Sequence, residues 1–120
     1  SWAPANDGMD RWMELYQTMT ASLDHEANAG RHLLGWAQRA GFTDITVSSS
    51  NWEFADPESR GWWAGVWADR VLQSSYGAMA RQDGLATQTE LDEIAAAWRT
   101  WAAAADGFFL CPHVEVVAVA

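Results

Sequence analysis

Tryptophan is the residue type in this sequence that most strongly indicates a site. The chain of 120 residues contains nine tryptophans, and Trp52, Trp62, Trp63 and Trp67 lie close together along it. The i, i+4 spacing of Trp63 and Trp67 places both rings on one face of a helix. Such rings could form an aromatic wall that excludes water and favours a bound cation. The alternative is that they fill a core otherwise rich in alanine.

A second aromatic pair precedes this cluster. Trp12 and Tyr16 share a helical stripe with Met19 and Leu23, which predicts a helix with a buried apolar face. The functional interpretation is that Trp12 and Tyr16 overhang a substrate pocket. If the chemistry requires a general base, His113 is the candidate, with His25 behind it, and a structural role is the alternative for both.

Other kinds of chemistry lack their usual motifs. The three histidines and Cys111 are dispersed, so we expect no metal site. Ser48, Ser49 and Ser50 have the setting of strand and turn residues rather than of nucleophiles. No glycine-rich loop follows a strand, so the sequence predicts no cofactor loop within this segment.

Composition narrows the class of protein further. A formal net charge of -9, with seven scattered arginines and no lysine, argues against a nucleic-acid partner. The 49% hydrophobic and 19% charged residues fit one globular unit. The single Cys111 excludes an internal disulfide. No apolar run approaches the roughly 20 residues that span a bilayer, and no signal peptide is visible. We therefore expect a cytoplasmic protein with no membrane partner.

The stretch from Asn28 to Phe54 organises the predicted elements. We expect a helix capped by Asn28 that ends at Ala40 or Gly41, followed by a strand in which Ile45 and Val47 alternate with polar residues. Trp52 and Phe54 have the opposite parity, so a bulge or a break is expected between residues 48 and 51.

The remaining elements follow from their start and stop signals. Asp56 and Pro57 begin a helix that we expect to reach about Arg81, and Thr87 to Glu90 fits a capping box. Phe108 to Val119 is predicted as a last strand covered on both faces, with Pro112 at a bulge or irregular beginning. Residues 1–8 are turn-rich, and Asp7 or Asp10 is the expected cap of the first helix. The predicted division is residues 1–41 (cap helix and last long helix), 42–55 (strand), 56–105 (inserted helical pair) and 106–120 (closing strand).

The segment from Gly30 to Ile45 reads G-R-x-L-x-x-W-x-x-x-A-G-F-T-D-I. It resembles the entry into the sixth strand of class I S-adenosylmethionine-dependent methyltransferases, most closely those of the ubiquinone/menaquinone-biosynthesis type. The resemblance implies an α/β fold, the C-terminal part of a Rossmann-like methyltransferase, with four main helices and an antiparallel strand pair.

The resemblance also implies a function for the complete protein, with S-adenosylmethionine as its cofactor. This segment would supply the acceptor side and would be inactive alone, because the main cofactor loop lies elsewhere. The residues proposed to bind a small-molecule methyl acceptor are Trp12, Tyr16, Trp52, Trp63 and Trp67, with His113 as the candidate base. The alternative is a free-standing, Trp-rich helical module that binds a ligand or a protein. What precedes Ser1 would discriminate the two.

The family's strand order carries an expectation about assembly. It places the last strand between the fifth and the sixth, so residues 108–119 should pair with residues 42–54 on one side only within this chain. The other edge would be open and apolar. We therefore expect self-association, or pairing with the missing N-terminal part.

Overall fold

In the computed structural model, the described residues, 1–119, form five α-helices and a three-stranded antiparallel sheet. In chain order the elements are β1 (Trp2–Ala3), α1 (Asp7–Ser22), a 3-10 helix (Ala29–His32), α2 (Leu33–Arg39), β2 (Asp44–Phe54), α3 (Pro57–Gln73), α4 (Ser75–Gln82), α5 (Gln88–Ala103) and β3 (Phe108–Val119). The α/β class is confirmed. The prediction of four main helices and a strand pair is wrong in number, because one helix is divided and β1 was not predicted.

The β2–β3 ladder is regular from end to end. It pairs Asp44 with Val119 at one end and Phe54 with Phe109 at the other, with no shift in register between. The bulge predicted between residues 48 and 51 is therefore absent. The change in parity has another cause. One face of the sheet is covered at one end of the ladder, and the other face is covered farther along it. Phe54 and Phe109 are buried in the main core, whereas Val114, on the other face, lies against Gly30.

Pro112 lies within this ladder, opposite Asn51, and not at a bulge or an irregular strand start. The backbone N–H of Leu110 donates to the Ser1 carbonyl, so the amides of alternate β3 residues point toward the β1 side. The nitrogen of Pro112 consequently points toward the edge of β3 beyond the end of β1. Proline costs no ladder hydrogen bond at that position.

The edge of β3 that faces away from β2 is mostly unpaired among residues 1–119. β1 pairs with Phe108 and Phe109 only. Val117 is 64% exposed and Val119 is 59% exposed, so the prediction that this apolar run is covered on both faces is wrong for the described chain. The continuous apolar pattern indicates a surface that remains available for packing.

The first two predicted helices differ in detail. Asn6, rather than Asp7 or Asp10, caps α1, because its side chain accepts from the Met9 N–H at 3.2 Å. The predicted long helix before β2 is a 3-10 helix followed by the seven-residue α2, and Asn28 makes no side-chain capping bond. Gly41 adopts φ 96°, which confirms the predicted left-handed stop.

The insertion at residues 56–105 contains three helices rather than the predicted pair. Asp56 caps α3 and Thr87 forms the capping box of α5, as predicted. The helix is interrupted at Ser74, whose extended backbone separates α3 from α4. The Ser74 hydroxyl accepts a hydrogen bond from the Tyr76 N–H. Gly77 allows the close return, since a Cβ there would clash with the Val71 carbonyl oxygen. The sequence contains no proline to mark this break.

The core lies between α1, α3 and α5, with the Phe54 and Phe109 end of the sheet against it. Its most deeply buried large side chains include Trp98, Trp101, Met9, Leu15 and Leu91. None of the helices within residues 1–119 is long and apolar enough to cross a membrane.

Candidate functional site

The six residues proposed from the sequence belong to one contiguous aromatic network. We define this network by Trp12, Tyr16, Trp52, Trp63, Trp67 and His113. Ring centroids are 6.0 Å apart for Tyr16 and Trp12, 4.6 Å for Trp12 and Trp67, and 6.0 Å for Trp67 and Trp63. They are 6.4 Å apart for Trp63 and Trp52, and 4.3 Å for Trp52 and His113. The network therefore runs from α1 through α3 to the sheet.

The middle of the network belongs to the core. Trp12 is 3% exposed and Trp67 is 6% exposed, and the ring of Trp98 lies 4.8 Å from one and 6.0 Å from the other. These rings are covered by other side chains in this structure. Direct contact of Trp12 or Trp67 with a substrate therefore stays a prediction. Their buried position indicates that they support the residues at the two ends of the network.

One end of the network opens on an aromatic surface beside the sheet. We call this the sheet-end surface and define it by Trp52, Phe54, Trp62, Trp63 and His113. Trp52 is 52% exposed and Trp62 is 60% exposed. Phe54 and Trp63 stack nearly parallel, with centroids 4.7 Å apart and planes 6° apart. Phe54 is buried beneath this surface, whereas the exposed rings of Trp52 and Trp62 are of the kind that binds flat or cationic groups.

His113 has no partner that would orient it as a base. Its Nδ1 is buried and has no hydrogen-bond partner among residues 1–119. The nearby carboxylate of Glu115 instead accepts from Ser50 at 2.6 Å and from Ser48 at 3.4 Å. A general-base histidine is usually held by a hydrogen bond from its second nitrogen to an oxygen. The geometry thus supports ring packing at His113 rather than proton transfer.

The other end of the network opens on a cavity of about 320 Å³ between α1, α3 and α4. Its principal lining side chains are Tyr16, Met19, Leu23, Arg70, Tyr76 and Met79. The guanidinium carbon of Arg70 lies 4.8 Å from the centre of the Trp67 ring. The Tyr76 hydroxyl donates to the Trp12 carbonyl at 3.3 Å, and burial raises the pKa of Tyr76, so this donor stays protonated.

Among the residues of this cavity, the sequence interpretation proposed only Tyr16 as a site residue and assigned Met19 and Leu23 to the apolar face of a helix. The cavity exists because the chain turns at Ser74 and brings Tyr76 and Met79 opposite the end of α1. The signal that could have revealed the turn is the Ser74-Ser75 pair followed by Gly77, since serine caps helices and glycine permits close approach.

A smaller cavity of about 230 Å³ lies between α1 and α5. Its cation, Arg11, already donates to the Leu85 carbonyl at 2.8 Å and pairs with Glu90 at 3.5 Å. These contacts join the helices and leave the charge satisfied. Within residues 1–119, no three His, Cys, Asp or Glu side chains lie together as metal ligands would. The expectation of no metal stays a prediction.

Comparison with known proteins gives one relationship. The chain is 34% identical over 91 residues to an uncharacterized methyltransferase of Schizosaccharomyces pombe, a match that covers 74% of this chain and 32% of the relative. No family model and no solved structure matches the sequence. The identity supports a methyltransferase relationship. The chain spans about a third of the length of the curated relative that it matches.

Proposed function

We propose that this chain is the C-terminal, acceptor-side portion of a class I S-adenosylmethionine-dependent methyltransferase that acts on a small molecule. The 34% identity to a methyltransferase is the observation that carries the proposal. The segment from Gly30 to Ile45 favours the class I, Rossmann-like assignment and the ubiquinone/menaquinone-like subgroup. It includes the end of α2 and the left-handed Gly41 at the joint to β2.

The topology supports an acceptor-side role. In open α/β sheets, ligands bind outside the carboxyl ends of the parallel strands. β1 and β2 are both antiparallel to β3, so they are parallel to each other, and they end together at Ala3 and Phe54. α1 and α3 begin soon after these strand ends, at Asp7 and Pro57. We infer that the aromatic network, which begins at this end of the strands, lies on the acceptor side.

We propose that the residues of this chain do not form the main site for S-adenosylmethionine. No glycine-rich turn follows β1 or β2, and backbone amides in such a turn are what cradle a cofactor of this kind. We assign cofactor binding to the rest of the complete protein. The cofactor there supplies a methyl carbon that is already activated by positive sulfur.

This chain's own residues then bind and orient the acceptor. We assign the flat faces of Trp52 and Trp63 to holding the acceptor and to excluding water, which raises the fraction of productive encounters. Trp12, Tyr16 and Trp67 support these rings from the core side. Since His113 has no oxygen partner for its Nδ1 within residues 1–119, we assign it to positioning Trp52.

The partners of the complete protein are proposals of the same kind. The small-molecule acceptor is the ligand, and the open edge of β3 pairs with the N-terminal part of the protein or with another copy of this chain. The charge of -9 favours neither nucleic acid nor an anionic membrane surface as a partner. We propose a cytoplasmic location.

Calorimetric titration with S-adenosylmethionine tests this function. The complete protein should bind with a micromolar or tighter dissociation constant, about -8 kcal/mol, and the 120-residue chain alone should show no binding of that strength. A complete protein that fails to bind would overturn the methyltransferase proposal. Micromolar binding by the chain alone would overturn the assignment of the cofactor site to another segment.

The second candidate is a free-standing, Trp-rich helical module that binds a ligand or a protein. The exposure of Trp62, at 60%, favours it, because exposed tryptophan is typical of interaction surfaces. The same titration discriminates the two functions, since a binding module has no affinity for the cofactor at any length of chain.

A further inference from the structure

The cavity between α1, α3 and α4 has no part in the methyl transfer proposed above. None of its lining residues lies in the sheet, and only Tyr16 belongs to the aromatic network. Its volume of about 320 Å³ is near the lower end of the range of about 300–1,000 Å³ for small-molecule sites. The cavity is therefore large enough for a small ligand of its own.

The walls of the cavity are suited to an apolar group. Met19, Met79 and Tyr16 are among its lining residues. Leu23, another lining residue, is 49% exposed although it is a large aliphatic residue. An apolar ligand would remove the side chain of Leu23 from water, and the flexible methionines could adjust to the shape of that ligand.

The charge in the cavity is positive. Arg70 is the charged residue of its lining, in a chain with a formal net charge of -9. The guanidinium lies over the Trp67 ring, and it forms no ion pair with any carboxylate among residues 1–119. The neighbouring carboxylate of Asp69 lies 3.8 Å from Arg99 instead. Arg70 is exposed to solvent, and its guanidinium is available as a hydrogen-bond donor.

A second positive feature lies beside Arg70. The amino end of α4 opens on the cavity, because Ser74, Ser75 and Tyr76 all line it. The amino end of a helix carries a partial positive charge that favours an anion. The Ser74 hydroxyl already accepts from the Tyr76 N–H at 3.1 Å, so Arg70 is the principal group in the cavity for an anion.

We propose that this cavity binds a small apolar acid. The carboxylate would accept hydrogen bonds from Arg70, whose planar fork matches a carboxylate with two parallel donors. The alkyl or aryl part would lie among Met19, Leu23 and Met79. A neutral ligand would leave the guanidinium unmatched, and a cationic ligand would be repelled by it.

Titration of the 120-residue chain with octanoate, 1-octanol and octylammonium at one ionic strength tests the proposal. Octanoate should bind about tenfold or more tightly than either of the others, as expected for a charge-assisted hydrogen bond. Equal affinity for octanoate and octylammonium, or no binding of octanoate, would overturn the proposal. The cofactor and the methyl acceptor are absent from this experiment, so its failure leaves the proposed methyl transfer unaffected.

Two variants locate the site. Arg70→Gln should weaken octanoate binding about tenfold and leave 1-octanol binding unchanged. Arg39→Gln is the matched control, since it removes the same charge from the last turn of α2, outside the cavity. An equal loss in both variants would show a general charge effect and no site. Met79→Trp should fill the cavity and weaken the binding of both octanoate and 1-octanol. If Met79→Trp does not fold, the Arg70→Gln result decides the proposal.

Discussion

The indole ring of Trp52 lies against the imidazole ring of His113, with centroids 4.3 Å apart and planes inclined at 41°. The two residues stand on neighbouring strands and are diagonal neighbours, since Trp52 pairs with Cys111 and His113 pairs with Ser50. This contact holds the Trp52 ring in place even though half of its surface is exposed. A ring fixed in this way loses little conformational entropy when a ligand packs on it.

Trp52→Ala in the complete protein should raise the Michaelis constant for the methyl acceptor about two- to tenfold, because aromatic contacts contribute about 0.5–1.5 kcal/mol. Affinity for the cofactor should not change. Steady-state kinetics and a cofactor titration check this outcome. Trp36→Ala is the control, because Trp36 is 41% exposed on α2 and lies outside the network. An equal effect of both variants would contradict the acceptor role of Trp52.

Trp98→Ala should lower the free energy of unfolding by about 3–5 kcal/mol, the usual cost of truncating a buried large aromatic residue. Trp98 is fully buried and contacts both Trp12 and Trp67. Trp62→Ala, at a residue that is 60% exposed, should change the same quantity by about 0.5 kcal/mol or less. Urea unfolding of the two variants measures the difference, and similar losses would show that Trp62 is not a surface residue.

Thr87→Ala should destabilise the chain by about 1 kcal/mol, because it removes the cap of α5. The Thr87 hydroxyl accepts from the Glu90 N–H at 3.2 Å, and the Thr87 N–H donates to the Glu90 carboxylate at 2.8 Å. Thermal or urea unfolding checks the value. Thr18→Ala on α1 is the control, since its hydroxyl only bonds back to the Glu14 carbonyl, and a comparable loss there would contradict the special role of the cap.

The capping box of Thr87 and Glu90 should also make the stability of the fold depend on pH. The hydrogen bond from the Thr87 backbone lowers the pKa of Glu90 below its ordinary value of 4.5. A carboxyl whose pKa is lower in the folded state stabilises that state above its unfolded pKa, and this contribution is lost as the pH falls through the folded value. Between about pH 6 and 3, the free energy of unfolding should therefore decrease less for Glu90→Gln than for the parent chain. For Glu93→Gln, outside the cap, the decrease should equal that of the parent chain.

The 120-residue chain alone should associate through the open edge of β3. Sedimentation equilibrium at about 100 µM should show dimers or larger species, because unpaired apolar strand edges pair with other chains. Val117→Lys should shift the chain toward monomer, since it places a charge at a position that is 64% exposed. Ser49→Lys, on the polar strand β2, adds the same charge and should leave the association unchanged. A monomeric parent chain would contradict this prediction.

Local signals in the sequence predicted the caps of α3 and α5, whereas the predicted caps Asp7 or Asp10 and Asn28 were wrong. Asp56 and Thr87 accept from amides only three residues ahead, so the sequence around each is sufficient to determine the cap. The change in parity along β2 was misinterpreted as a bulge, because its cause does not lie in the neighbouring sequence. Whether Ile45 or Trp52 faces the core depends on which helices cover each end of the sheet, and those helices are distant in sequence.

The cavity required still more tertiary information. It needs the carboxyl end of α1, the break at Ser74 and the close approach of Gly77 to Val71. No single segment contains these features. Even the aromatic network was predicted only as a list of residues, since the spacing of Trp63 and Trp67 shows that they share a helix face and not what that face contacts.

The pairing of Phe54 with Phe109 has a consequence for how this protein can change during evolution. These residues are direct partners at the end of the ladder, so residues 55–107 leave the sheet and return to it at one point. For the strands this stretch is merely a connection, and the entropy of closing a connection rises slowly with its length. Helices can therefore be lengthened, shortened or exchanged there while the strand register stays the same. Relatives that share this hairpin should differ most in that stretch.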